Sequence, residues 1–284
     1  MKSLSEIPIL VKIGVVAGFA LAASGIDAYA AEVRFLCADA LEASMRELIA
    51  EFETVTGHSV KVMFANAGTN TERVRKEDVA DLAIVLPQQW ETLRKEGKID
   101  PAVRVVVGKV GLGAFVKKGA ARPDIDSVEA FKRALLTSRA IAVRDPGQRS
   151  PVGTYLTALF DRLGIGDDIK PKLRLTADRP YETVIKGDAE IGFSTLAEIV
   201  GSPEVDLVGP LPGEIQNFNI LTAAIPISAK HVEAAKVLIE YLTSPRATTV
   251  FRSGGSIRAD AWRATAAGLR EGFRHGDMSA PTEF

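Results

Sequence analysis

The chain has 284 residues, 46% hydrophobic and 25% charged, the balance of an ordinary globular protein rather than a disordered or low-complexity one. Thirty-five Lys+Arg stand against 36 Asp+Glu, a formal net charge of −1, so no global basic field exists to hold nucleic acid. One cysteine excludes an internal disulfide and any zinc site built from several cysteines, and the three histidines (His58, His231, His275) lack metal-site spacing.

In chain order, Lys2 and Lys12 precede an apolar run over residues 13–23, followed by Ala28-Tyr29-Ala30. A positive start, a short apolar segment and an A-x-A site read as an export signal over residues 1–30, cut after Ala30. The run is shorter than the roughly 20 residues that span a bilayer. The mature chain is therefore expected in the periplasm, with Cys37 a buried thiol rather than a lipidated one.

From residue 31 the pattern alternates β and α. Residues 33–37 (VRFLC) are β-rich, then Leu41, Met45, Leu48, Ile49 and Phe52 recur at helical spacing up to a stop at Gly57. Residues 60–64 read as a strand, 71–77 as a short polar helix, 82–86 as a buried strand and 87–96 as a helix opened by Pro87. The style then repeats: helix 128–136 behind Ser127, strand 140–144, helix 151–163, strand 172–176, helix 180–186 and strand 191–194. Trp90 and Phe193 read as core. Strands alternating with helices predict an α/β fold whose mostly parallel sheets carry helices on both faces.

Two long extended segments, residues 110–117 (VGLGAFVK) and 217–227 (NFNILTAAIPI), flank the second set. After them, helices at 231–243 and past Pro245 return to the first style. The expected organisation is a first lobe of residues 31–109 and 219–257, with a second lobe, 110–218, inserted. Residues 258–284 form a helical tail. Two extended crossings between lobes make a natural hinge.

Several stretches then carry a family likeness. LEASMRELIAEFETVTGHSVKVMFANAGT, DLAIVLPQQWETLRKEGKI, VGKVGLGAFVKKGAARPDI, RDPGQRSPVGTYLTALFDRLGI, GPLP and AAKVLIEYLTSP, in that order, resemble the periplasmic molybdate-type solute-binding proteins of ABC transporters. The likeness runs from about residue 31 to 255. It implies a type II periplasmic-binding fold, a two-lobed clamshell that closes on a small solute. It further implies a monomer that delivers the solute to a membrane permease, without cofactor, metal, nucleic acid or catalysis.

In open α/β lobes, ligands bind beyond the carboxyl ends of strands, where helices begin with unpaired N–H groups. That places the candidate contacts at Asp39 and Ala40, Gly68 and Thr69, Ser150 and Val152, Tyr181, and Ser194; the resemblance implies the same turns. Some fit a purely structural role equally well. Gly68-Thr69-Asn70 suits a turn with a helix cap, Ser150 a cap before Pro151, and Tyr181 a packing residue.

Asp39 departs from the family pattern, which carries a hydroxyl residue there. A carboxylate beside a divalent oxyanion repels it, which puts molybdate in doubt. Asp39 and Glu42 also fit a D-x-x-E helix cap. Arg144, Arg149 and Arg179 could restore positive charge at the cleft mouth, suiting an organic acid. Two other classes stay open: a ligand-sensing partner of a membrane receptor, and an enzyme such as a periplasmic dehydratase on the same fold.

Overall fold

The computed structural model describes residues 30–256. The export signal, except for Ala30, and the tail helix expected over 258–284 lie outside the described residues. Strand β1 (Glu32–Ala38) leads through a 3-10 turn (Asp39–Leu41) into helix α1 (Glu42–Thr56). Then follow β2 (Ser59–Ala65), α2 (Ala67–Arg75), β3 (Leu82–Val85) and α3 (Pro87–Lys95). The long strand β4 (Val105–Lys117) leads to α4 (Val128–Thr137), β5 (Ile141–Arg144), α5 (Pro151–Arg162) and a single turn, α6 (Gly166–Ile169). Next are β6 (Leu173–Thr176), α7 (Tyr181–Ile185), β7 (Ile191–Thr195), α8 (Leu196–Val200) and β8 (Val205–Pro210). The described chain ends with β9 (Phe218–Ala224), α9 (Val232–Leu242) and α10 (Pro245–Ser253).

Local chemistry explains most boundaries. The αL conformation that ends α1 falls on Gly57, at φ 73°, where a side chain would be strained. Ser150 caps α5 through its Oγ, which accepts from the Gly153 N–H, and Pro151 occupies the first helical position, where no N–H is needed. Ser244 and Pro245 repeat that pair at α10.

β4 joins the two halves of the sheet. Its residues from Val105 to Gly111 pair antiparallel with β9, and from Leu112 onward it pairs with β7 and β8 instead. On one side the strand order is β2-β1-β3-β9-β4, with β1, β2 and β3 parallel; on the other it is β4-β7-β5-β6, with β5, β6 and β7 parallel. The parallel portions match the alternating β/α pattern. The crossing strands β4 and β9 join them antiparallel.

Alternation along the strands fills both faces of each half. Phe35 points toward Phe52, Leu48 and Leu238, whereas Leu36 points toward Trp90 and Leu93. In the second half Leu112 joins Phe131, Leu156 and Phe193 on one face, and Phe115 joins Tyr181 and Val184 on the other. Cys37 is fully buried in the first core. Among the described residues no helix is long and apolar enough to cross a membrane.

Asp81, 1% exposed, ties three segments together. Its Oδ2 accepts from the Arg34 N–H at 2.9 Å, and its Oδ1 accepts from the N–H groups of Lys230 at 2.7 Å and His231 at 2.9 Å. The carboxylate thus holds β1 and caps the start of α9 from outside the helix. Asp81→Ala leaves these part-buried donors without their acceptor and is expected to lower the unfolding free energy by about 1–3 kcal/mol in urea titrations. Asp81→Asn, which keeps an acceptor, should cost less.

Candidate functional site

The turns after β1, β2, β5 and β7 converge between the two halves. There a cavity of about 20 Å³ is lined by Asp39, Ala40, Asn66, Arg144, Ser150 and Glu198, among others. That volume holds about one water, so a solute of several heavy atoms enters only when the halves part. A second, larger cavity of about 480 Å³ shares no lining residue with it and is edged by surface ion pairs such as Arg139–Glu190.

Arg144, at the end of β5, dominates the site. It is 6% exposed, and its Nη1 donates to Asp39 Oδ2 at 2.8 Å across the gap between halves. Its Nη2 donates to Asp178 Oδ1 at 3.1 Å and lies 3.9 Å from Glu198 Oε1. Arg179 adds a second bridge: it pairs with Glu42 at the start of α1, and its Nε lies 3.3 Å from Glu198 Oε1. The Asn66 side-chain amide donates to the Gln148 carbonyl at 3.2 Å, again across the gap.

Glu198 sits behind both arginines on α8. Its Oε2 accepts from the Ser194 hydroxyl at 2.8 Å and the Thr195 hydroxyl at 2.7 Å, and Thr195 and Glu198 together form a capping box. Its Oε1 is buried without a hydrogen-bond partner and faces the two guanidinium groups.

Burial pushes the Asp39 carboxyl up to about 6, and Glu198 adds to the rise, while Arg144 and Arg179 pull it back. Glu42 is held below its ordinary value: burial raises it, but hydrogen bonds from Arg46 and Arg179 outweigh that. Burial works against the Arg144 cation, yet Asp39 and Glu198 more than offset it. Asp39 is therefore a cavity-wall acid that changes charge close to neutral pH. Among the described residues no group of three or more His, Cys, Asp or Glu side chains is placed to hold a metal ion.

The structure brings Asp39, Ala40, Ser150 and Val152 together at the cavity wall. The other expected contacts fall beside it. Gly68 and Thr69 lie inside the first turn of α2, whose cap is Asn66: its Oδ1 accepts from the Thr69 N–H at 2.9 Å. The helix starts four residues before the expected position, so Asn66 and Ala67, not Gly68 and Thr69, line the cavity. Thr195 lines it in place of Ser194, whose hydroxyl is engaged by Glu198. Tyr181 does not line it; the ring packs 4.8 Å from Phe115 in the core of the second half.

One structural alternative is also corrected. Asp39 and Glu42 form no capping box. Asp39 lies in the 3-10 turn before α1, its only backbone donor is the adjacent Ala40 N–H at 3.0 Å, and both carboxylates turn to arginines of the other half. Of the three arginines expected to bring positive charge, Arg144 is buried at the cavity, whereas the Arg149 side chain is exposed and its carbonyl meets Gly68. Sequence reasoning missed Glu198, Asn66 and Asp178. The Thr-x-x-Glu spacing at 195–198 signals only the cap it also forms.

This arrangement is that of the type II periplasmic-binding proteins: two α/β halves on shared crossing strands, with strand ends converging on the gap. Residues 33–256 match the family described as bacterial extracellular solute-binding protein, and the chain belongs to that family. An aconitate isomerase from a Pseudomonas species is 28% identical over 219 residues, covering 75% of this chain and 82% of that protein. The molybdate-binding protein ModA of Azotobacter vinelandii is 27% identical over 248 residues, covering 80% and 90%. The solved structure of the Azotobacter vinelandii periplasmic molybdate-binding protein superposes with a TM-score of 0.67 at 18% identity, covering 79% and 98%.

A Cβ at position 68 would stand 2.3 Å from the Arg149 carbonyl oxygen, backbone of the other half. Gly68→Ala should therefore hold the halves apart, read as a larger radius of gyration by small-angle scattering with little loss of thermal stability. The Asp39 proton provides a second test. Its folded pKa of about 6 lies above the ordinary 3.8, so the stability it contributes is complete below about 4 and is lost as pH rises through about 6. Asp39→Asn should flatten the pH dependence of unfolding free energy across that window.

Proposed function

We propose that the chain is a periplasmic solute-binding protein that captures a small organic anion bearing carboxylates and delivers it to an ABC importer. The two lobes, residues 31–109 with 219–257 and residues 110–218, act as the clamshell, opening on β4 and β9 to admit the solute. Asp39, Ala40, Ser150 and Val152 serve as wall contacts, joined by Asn66, Arg144 and Arg179. The protein works as a monomer with its export signal removed.

The observation that carries this reading is the guanidinium of Arg144. It is buried at the cavity wall, yet one of its carboxylate partners, Asp178, has a side chain 92% exposed. An exposed ion-pair partner contributes little, so a solute carboxylate can exchange for Asp178 on a planar donor fork suited to carboxylates. Asp39, Glu42, Asp178 and Glu198 also outnumber Arg144 and Arg179, which weighs against a bare divalent oxyanion such as molybdate.

One observation favours a second reading, an enzyme acting on an unsaturated polycarboxylate. Asp39 lines the cavity with a carboxyl raised to about 6, suited to a general acid or base. The relative named aconitate isomerase adds weight to it.

A thermal-shift screen of the mature chain against citrate, cis- and trans-aconitate, molybdate, tungstate and sulfate separates these cases. A ligand at about 100 times its Kd adds roughly 2.7 kcal/mol. Carboxylates alone should raise Tm; a shift confined to molybdate and tungstate would sink the organic-anion reading. Incubation with cis- or trans-aconitate, followed by proton NMR, should show stoichiometric binding with no conversion. Conversion that Asp39→Asn abolishes while binding persists would establish the enzyme instead.

A further inference from the structure

Glu198 is 8% exposed, lines the interlobe cavity, and is not a residue the motif pattern marks as a contact. Both nearby hydroxyls, Ser194 and Thr195, direct their protons into its Oε2. Its Oε1 faces Arg144 at 3.9 Å and Arg179 at 3.3 Å and is without a hydrogen bond of its own. One side chain thus withdraws the Thr195 hydroxyl from the cavity wall, holds the Ser194 hydroxyl behind it, and places a carboxylate behind the two cations.

We propose that Glu198 determines the cleft's specificity, excluding bare tetrahedral oxyanions and leaving the site to organic anions. This rests on the reading that the interlobe cleft binds an anion. A compact divalent oxyanion needs donors converging from all sides. At this wall the Thr195 hydroxyl is turned away, and the carboxylate repels charge concentrated on one small centre. An organic acid spreads its charge over carboxylates separated by carbon atoms. One of these can take the Asp178 position on Arg144 Nη2, while the others extend away on the carbon chain.

Removing the carboxylate leaves the cations partnered, since Asp39, Asp178 and Glu42 still face Arg144 and Arg179. Glu198→Gln also keeps the capping box, in which Gln substitutes for Glu. Glu198→Gln therefore removes the charge while its amide oxygen can still accept from the hydroxyls, whereas Glu198→Ala also leaves the Thr195 hydroxyl able to donate toward a ligand.

The experiment is calorimetric titration of wild type, Glu198→Gln and Glu198→Ala with sodium molybdate, sodium sulfate and citrate, after thermal melts of each unliganded protein. The expected result is a rise of about tenfold or more in oxyanion affinity relative to citrate in both variants, from the charge removed in Glu198→Gln and from the charge removed plus the Thr195 donor freed in Glu198→Ala. Loss of a merely structural residue lowers affinity for every ligand and cannot produce that gain. Cooperatively melting variants that bind no oxyanion, or whose oxyanion-to-citrate ratio equals that of wild type, would overturn the role of Glu198. Wild type that fails to bind citrate, with variants that gain oxyanion binding, would overturn the organic-anion reading and leave Glu198 as the excluding group.

Discussion

A guanidinium taken out of water must find partners, and Arg144 finds them on both sides of the gap between the halves. Burying a charge without compensation costs far more than any single contact returns. The closed arrangement answers this by bringing Asp39 from the first half to within 2.8 Å of Arg144 Nη1, while Asp178 and Glu198 come from the second. The pair is at once a site wall and a fastening. Arg179 repeats the design at the cavity edge, reaching Glu42 across the gap and Glu198 on its own side. The same atoms that line the cavity therefore hold the halves together, and under the proposed function a solute that engages the arginines would alter the balance between open and closed forms.

The sheet supplies the rigidity that makes such a balance useful. β4 serves both halves and changes partners between Gly111 and Leu112, and β9 lies beside its first part. Each half has its own apolar clusters, so a change of angle at the crossing strands leaves the packing on either side intact. Asp81 fixes β1 and the start of α9 within the first half. The turn carrying Asp39, which follows β1, thereby moves with that half as one piece.

What the sequence disclosed follows from where the physics is local. The apolar spacing from Leu41 to Phe52, the Ser-Pro starts at 150–151 and 244–245, and Gly57 as a stop all report interactions within a few residues, and they are legible. The convergence of strand-to-helix turns is legible too, because it follows from α/β topology. The ion pairs are not: Asp39 and Arg144 stand 105 positions apart, and Arg179 and Glu42 are separated by 137. At Gly68 the register was misjudged because Asn66, two residues earlier, supplies the cap that Gly68-Thr69-Asn70 resembles. Tyr181 takes the packing alternative: its neighbours form a turn, and its ring completes the cluster around Phe115.

The approach of α2 to the turn before α5 has a mechanical meaning of its own. At Gly68 the contact is backbone against backbone, with the Arg149 carbonyl where a side chain would otherwise stand. Main chain does not switch rotamers, so this contact is a hard stop, and the halves approach no further than covalent geometry allows. Under the proposed function, a cargo larger than the single water that fits at this stop would hold the halves short of it. The outline of the loaded protein would then differ from that of the empty one, and a partner could tell full from empty by that difference alone.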